Sequence, residues 1–313
     1  MTEPTPESTS EQPTTIPDVV DVEVLRGGEA DETTPPDLLV EVPHGADRRH
    51  HYDTLRKQLV GDLPDELEIF FHLNTDVGGW AVGRATAERL IEQEPRLSVL
   101  LLRSSIPRTF IDCNRPAGVA GGDLTEGGLT AGIPAYVQDD RDRELLLDLH
   151  ARYVEVAEQA YRLVTERGGL ALVPHTYGPR SLGITGVGDD IVEQLRWACA
   201  PERHDTWPLR AEVDLLTRDE EGVLLAPEGL EERLTADFST AGFETKSNDT
   251  YCLIEGTMGH EWSVRWPGRV LTLEIRRDLL VEEWRPFEEM LPVPAKVDRV
   301  VDVLAPALHE LLA

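Results

Sequence analysis

Apolar and polar positions along the chain alternate between two rhythms. DLLVEVPHG (37–45) is an apolar run closed by proline and glycine, which suits a buried strand. LSVLLLR (97–103), LALVPH (170–175) and RVLTLEIRR (269–277) read the same way. Helical spacing intervenes. WAVGRATAERLIEQE (80–94) sets Val82, Ala85 and Leu90 on one face, and RDRELLLDLHARYVEVAEQAYRLVTERG (141–168) carries Leu145, Leu149, Tyr153, Val156, Ala160 and Leu163 at steps of three and four. Gly168 and Gly169 supply a stop for that second helix. Further helices are expected near 189–198, 228–241 and 296–312. Strands alternating with helices predict an α/β fold, a mixed, mostly parallel sheet with helices on both faces.

Residues 1–37 break the pattern. They hold ten acidic side chains, six prolines and a single arginine, Arg26, with one brief apolar stretch at 19–24. Such a segment buries too little apolar surface to offset its ordering entropy, so a disordered acidic tail is expected, with room for one short edge strand. Residues 38–313 then form a single domain, long enough for a mature core.

Charge and cysteine content narrow the partners. Thirty Lys and Arg against 59 Asp and Glu leave a net charge of −29, which argues against nucleic acid or an anionic membrane as partner. Three separated cysteines, Cys113, Cys199 and Cys252, offer neither a disulfide framework nor a zinc ribbon. Without a signal sequence or a long apolar span, a cytoplasmic location is expected. Only three basic residues are lysine, which fits either a GC-rich genome or a high-salt cytoplasm.

In an open α/β sheet, ligands gather at the carboxyl ends of the strands. His44 follows the apolar run 37–43, and His175 ends the run 170–174, so two strands deliver imidazoles to that edge. Asp47, three residues after His44, completes a two-nitrogen, one-carboxylate set of the kind that holds catalytic zinc. Asp76, in HLNTDVGG, is a second acidic candidate; its alternative role is the N-cap of the 80–94 helix. His50, His51 and Asp53 fit better at a solvated helix start. Glu274 lies in an apolar strand, opposite in face to Leu271, Leu273 and Ile275, either as a general base facing a cleft or as an ion-pair partner of Arg276 or Arg277. Asn114 and Arg115 follow another strand pattern and offer a grip for a substrate carboxylate, with Arg108 placed to neutralise an oxyanion. The glycine-rich stretch 117–133 lacks any phosphate-loop spacing and any basic residue, leaving a flap or a plain surface loop.

Together these residues resemble the N-formylglutamate amidohydrolase family, itself similar in plan to zinc carboxypeptidases and to the succinylglutamate desuccinylase and aspartoacylase group. The resemblance covers about 38–285 and rests on VPHGA (42–46), HLNTDVG (72–78), RTFIDCNRP (108–116), ALVPHTYGPRS (171–181), GFETKSNDTY (242–251) and LTLEIRRDLL (271–280). It implies a phosphorylase/hydrolase-like α/β fold, one Zn2+ per chain, and hydrolysis of an amide in a small carboxylate-bearing molecule. His44 and His175 would be zinc ligands, Glu274 the base, Asn114 with Arg115 the carboxylate grip, and Asn248 with Tyr251 part of the pocket. For the acidic ligand, carboxypeptidase-like spacing puts Asp47 slightly ahead, whereas the formylglutamate family points to the position of Asp76. Val173 stands where the family has an aspartate two residues before its second histidine, so His175 is expected to take its orientation from another partner. A carboxypeptidase, a γ-glutamyl or other N-acyl deacylase, and a non-catalytic binding protein of this fold are the alternatives.

Overall fold

The computed structural model describes residues 12–122 and 129–312. Its centre is a seven-stranded sheet whose spatial order is β1 (Val20–Arg26), β3 (Ser98–Ser104), β2 (Leu38–Val42), β4 (Leu170–Tyr177), β7 (Val270–Arg276), β5 (Val213–Leu216), β6 (Thr245–Ser247). The four inner strands β3, β2, β4 and β7 run parallel. β1 pairs antiparallel with β3 at one edge, and β5 antiparallel with β7 toward the other, with β6 parallel to β5. The sheet is thus mixed and mostly parallel, as expected.

Helices cover both faces. Leu38, Val40 and Val42 of β2, with Leu271, Leu273 and Ile275 of β7, pack under α3 (Gly79–Gln93), α7 (Leu230–Thr240) and α9 (Pro294–Leu312) in one apolar cluster. Leu39, Ala171, Val173 and Val270 face the other way, into a cluster with α4 (Asp140–Thr165), α5 (Ile191–Ala198) and α8 (Met258–Arg265). Strand alternation therefore sends every second residue of β2, β4 and β7 to each side. α3 sits so close to β2 that a Cβ at Gly83 would stand 2.6 Å from Val40 Cγ1. α4 is capped by the Asp139 side chain, which accepts from Arg141 N–H, and its buried stripe is Leu146, Leu149, Tyr153, Val156, Ala160 and Val164. Leu145 and Leu163 lie at the margin of that stripe, half-buried.

The stretch 1–37 is not a disordered tail throughout: the edge strand for which its apolar stretch left room is there, as Val20 to Arg26 form β1 in register with Ser104 to Ser98, and Val19 and Val20 are core residues. Seven ladder residues and a buried valine pair supply what composition averaged over the whole segment conceals. Residues 1–11 lie outside the described part. Among the described residues, no helix is long and apolar enough to cross a membrane.

The sheet's connectivity places the site. The chain leaves β2 toward β3 on one side, and returns across β2 to β4 on the other, so the strand order reverses between β2 and β4. Ligand sites of open α/β sheets form at such a reversal, beyond the carboxyl ends of the strands. His44 follows β2 by two residues and His175 lies near the end of β4.

Candidate functional site

Three buried side chains converge at that reversal: His44, Asp76 and His175. Asp76 Oδ2 stands 3.2 Å from His44 Nδ1 and 2.9 Å from His175 Nδ1, and accepts the Thr176 N–H at 3.2 Å. Asp76 reaches this point because it is not a helix cap. The N-cap of α3 is Gly78, in the left-handed region at φ 95°, with no side-chain cap bond, so the carboxylate two residues earlier turns inward. Burial alone would raise Asp76, but the two histidines, His44 foremost, hold it well below the ordinary carboxylate range. Arg277 and Arg108 approach its other oxygen at 3.4 and 3.5 Å.

The far nitrogen of His44 is fixed as well. Nε2 lies 2.7 Å from Asp112 Oδ1, and Asp112 is kept ionised against its burial chiefly by Arg108, whose Nη2 donates to Oδ2 at 3.0 Å. An ionised acceptor at Nε2 can hold a proton on that nitrogen, which would free the Nδ1 lone pair for a cation. Both Nδ1 atoms lie 2.9–3.2 Å from one carboxylate oxygen, and the three donor atoms stand within 4.8 Å of one another, an arrangement that a cation can bridge. Donors around a four-coordinate zinc stand about 3.3 Å apart, given bonds of roughly 2.0–2.1 Å. The residues present therefore fit a small divalent ion.

Asp47 is corrected out of this set. Its oxygens face Arg103 Nη2 at 2.9 Å and Arg48 Nη2 at 3.4 Å, and Arg103 also donates to the Gly45 carbonyl at 2.8 Å. Arg103, the penultimate residue of β3, lies directly beside Val42 and holds the loop after His44 through Gly45 and Asp47, so the His-x-x-Asp spacing does not bring both groups to one point. His50 and His51 belong to α1 (Arg49–Arg56), away from the three donors; His51 Nδ1 accepts the Arg48 N–H, and burial drops it to about 3.

Glu274 sits on β7 in direct register with His175. Neither expected ion pair forms. Arg276 turns to Asp278 and Glu212, while Arg277 binds the Thr176 carbonyl, Asp76 and, through Nη1, the Leu73 carbonyl. Among the described residues Glu274 Oε2 is left buried without a partner, and burial pushes the group up to about 7, with His175 pulling it down and Asp76 pushing it further up.

These groups open on one cavity of about 830 Å³. Arg108, Asn114, Arg115 and Tyr251 line it as expected, whereas Asn248 does not. Asn248 adopts φ 54°, and its Oδ1 accepts the N–H groups of Thr217 and Arg218 at 2.9 and 3.0 Å, so its role is to hold a turn beside β5. Asn114 Oδ1 accepts the Gly259 N–H at 3.0 Å at the start of α8. Arg115 spends Nη1 on the Asn114 carbonyl, and its buried Nε has no partner among the described residues. Gly121, Gly122 and 129–131 line the cavity, as a flap would, although 123–128 fall outside the described residues. Two members escaped the sequence reading. Asp112 was visible in RTFIDCNRP two residues before Asn114, and Arg277 in LEIRR, but only the fold shows which groups they meet.

On a chain of net charge −29, the cavity wall carries five arginines, Arg108, Arg115, Arg180, Arg210 and Arg277, against two carboxylates, Asp112 and Glu274. Among the described residues, Arg115 and Arg210 have no carboxylate within salt-bridge distance; Arg210 lies over the rings of Tyr177 and Tyr251 instead. The local field thus favours an anion against the overall charge.

No family model matches the chain, and no curated protein matches it. Solved structures do. A crystal structure of N-formylglutamate amidohydrolase from Ralstonia eutropha JMP134 superposes over 93% of this chain and 98% of that one, with 17% identity and a TM-score of 0.53. The fold is similar to that of N-formylglutamate amidohydrolase. A gene product of Agrobacterium tumefaciens matches at 17% identity and TM-score 0.50, covering 94% of each chain. Succinylglutamate desuccinylase from Vibrio parahaemolyticus is a weaker likeness, at 8% identity and TM-score 0.41 over 93% of this chain and 68% of that one. At these identities the likeness extends to the fold and agrees with the motif resemblance.

Proposed function

We propose that this chain is a metal-dependent hydrolase that cleaves the amide bond of a small N-acyl amino acid bearing a carboxylate. The supporting observation is the juxtaposition of His44, Asp76 and His175, a fitting donor set, with Glu274, whose unpartnered oxygen lies one strand away. Zinc bound there would supply Lewis acidity for polarising a carbonyl and activating water.

The chain's own groups then divide the work. Arg115 takes the substrate carboxylate with its uncommitted guanidinium edge, on a wall whose charge already favours an anion. Glu274, with its affinity for a proton raised to near neutrality, accepts a proton as water attacks the carbonyl carbon, and returns it to the amide nitrogen as the C–N bond breaks. The products are a carboxylate and a free amine. Arg108 is clamped by Asp112 and stands ready for the developing oxyanion without having to reorganise. Asp112 also fixes the His44 ring through Nε2.

The test is a comparison of N-acyl amino acids with the same compounds amidated at the carboxylate. The expected loss in kcat/KM is at least ~100-fold, since Arg115 is then buried against a group that cannot pair with it. Equal turnover of acid and amide contradicts the carboxylate grip.

A further inference from the structure

The cavity does not end with its polar groups. Past the arginines its wall continues over Phe70 and Leu73 of α2 (Glu68–Asn74), Leu182 and Ile184 of the loop after β4, and Ile191 and Leu195 of α5. Phe70, Ile191 and Leu195 belong to the buried core, and Leu73, Leu182 and Ile184 pack against it half-buried, so core side chains form this wall directly. Among the described residues it holds no carboxylate. Arg180, the charged residue on this stretch, is held by Asp205 at 3.3 Å and by the Trp207 carbonyl at 2.7 Å.

Such a surface offers dispersion contacts and release of water, but no partner for a second substrate charge. A cavity of about 830 Å³ is also far larger than a formylated or acetylated small amino acid needs, and lies within the range that encloses drug-sized ligands. From the apolar wall and the grip offered at Arg115, we infer that the natural substrate joins a carboxylate to a bulky apolar acyl group, which packs on Phe70, Ile184 and Leu195. This rests on the hydrolase reading above. It assigns the carboxylate to the amino-acid side of the amide and the apolar end to the acyl side, so a second carboxylate on the acyl group is disfavoured.

N-acetylglycine, N-hexanoylglycine and N-succinylglycine test this directly. The expected kcat/KM rises by about four-fold per methylene from acetyl to hexanoyl, the factor that burying one CH₂ supplies. Succinyl falls below acetyl. Leu182→Asp and Ile184→Asp, both at half-buried loop positions, lower the hexanoyl-to-acetyl ratio by about ten-fold or more through the desolvated charge. Calorimetric binding of hexanoylglycine and acetylglycine to zinc-loaded Glu274→Gln protein reads the same preference without turnover. Tighter binding of the hexanoyl compound supports the apolar site even where the wild type hydrolyses none of the three compounds, a result that would count against the hydrolase reading alone. Equal affinity and equal kcat/KM for the two, or a ratio unmoved by both loop variants, overturns the apolar acyl site.

Discussion

Two glutamates lie on the same face of the sheet, Glu41 buried and Glu274 half-buried with one oxygen buried, and their surroundings differ in one respect. Beneath the site, Glu41 of β2 gives one oxygen to the Tyr153 hydroxyl and the other to the Tyr161 hydroxyl, each at 2.7 Å. At the cavity wall, Glu274 of β7 leaves Oε2 buried with no partner. Burial raises the pKa of both. The tyrosine pair turns Glu41 into a satisfied structural group, while Glu274 keeps an unsatisfied oxygen where a substrate would stand. A raised carboxylate is therefore not a catalytic sign by itself; the unfilled hydrogen-bonding capacity beside a cavity separates the two.

The strongest way to break this comparison is to neutralise each glutamate in turn. Glu274→Gln should lower kcat by about 10²- to 10⁴-fold while metal content stays unchanged, because it removes the proton carrier and no proposed ligand. Glu41→Gln should leave kcat within about ten-fold of wild type. Similar losses in both variants would dissolve the distinction.

pH sharpens it. Glu274 has its pKa raised from an ordinary 4.5 to about 7 in the folded chain, so its neutral form is the one the fold favours. In metal-free protein, wild type should keep its full stability below about pH 4.5 and lose it relative to Glu274→Gln as pH rises through 7, by a ceiling of about 3 kcal/mol. Denaturant unfolding of both proteins between pH 5 and 9 measures the difference, and a gap that does not widen with pH counts against the buried carboxyl. A smaller effect belongs to the floor: Tyr161→Phe should cost about 1–3 kcal/mol, since it strands one oxygen of a buried carboxylate. Unchanged unfolding in Tyr161→Phe would mean that Glu41 finds another partner.

Much of this was legible in the chain. His44, His175 and Glu274 were readable because each belongs to an apolar strand that alternation identifies, and the strand end or the strand face then determines where the side chain goes. Asp47 and Asp76 could not be separated by spacing, because the deciding contact comes from Arg103 on a neighbouring strand, 56 residues beyond Asp47. Gly78 was the overlooked local signal: with a glycine in the left-handed conformation as N-cap, the helix did not need Asp76. Asn248 looked like a pocket residue by motif, yet its amide closes a turn. β1 showed in the sequence only as a brief apolar stretch within an acidic segment, since an edge strand needs only one buried face and a neighbour to pair with.

The central claim is that His44, Asp76 and His175 hold a metal ion. Elemental analysis of untagged protein purified without chelator, for wild type, Asp76→Asn and Asp47→Asn, tests it most directly. About one zinc per chain is predicted in wild type and in Asp47→Asn, with loss from Asp76→Asn. A metal-free wild type, or zinc retained by Asp76→Asn and lost from Asp47→Asn, would contradict it.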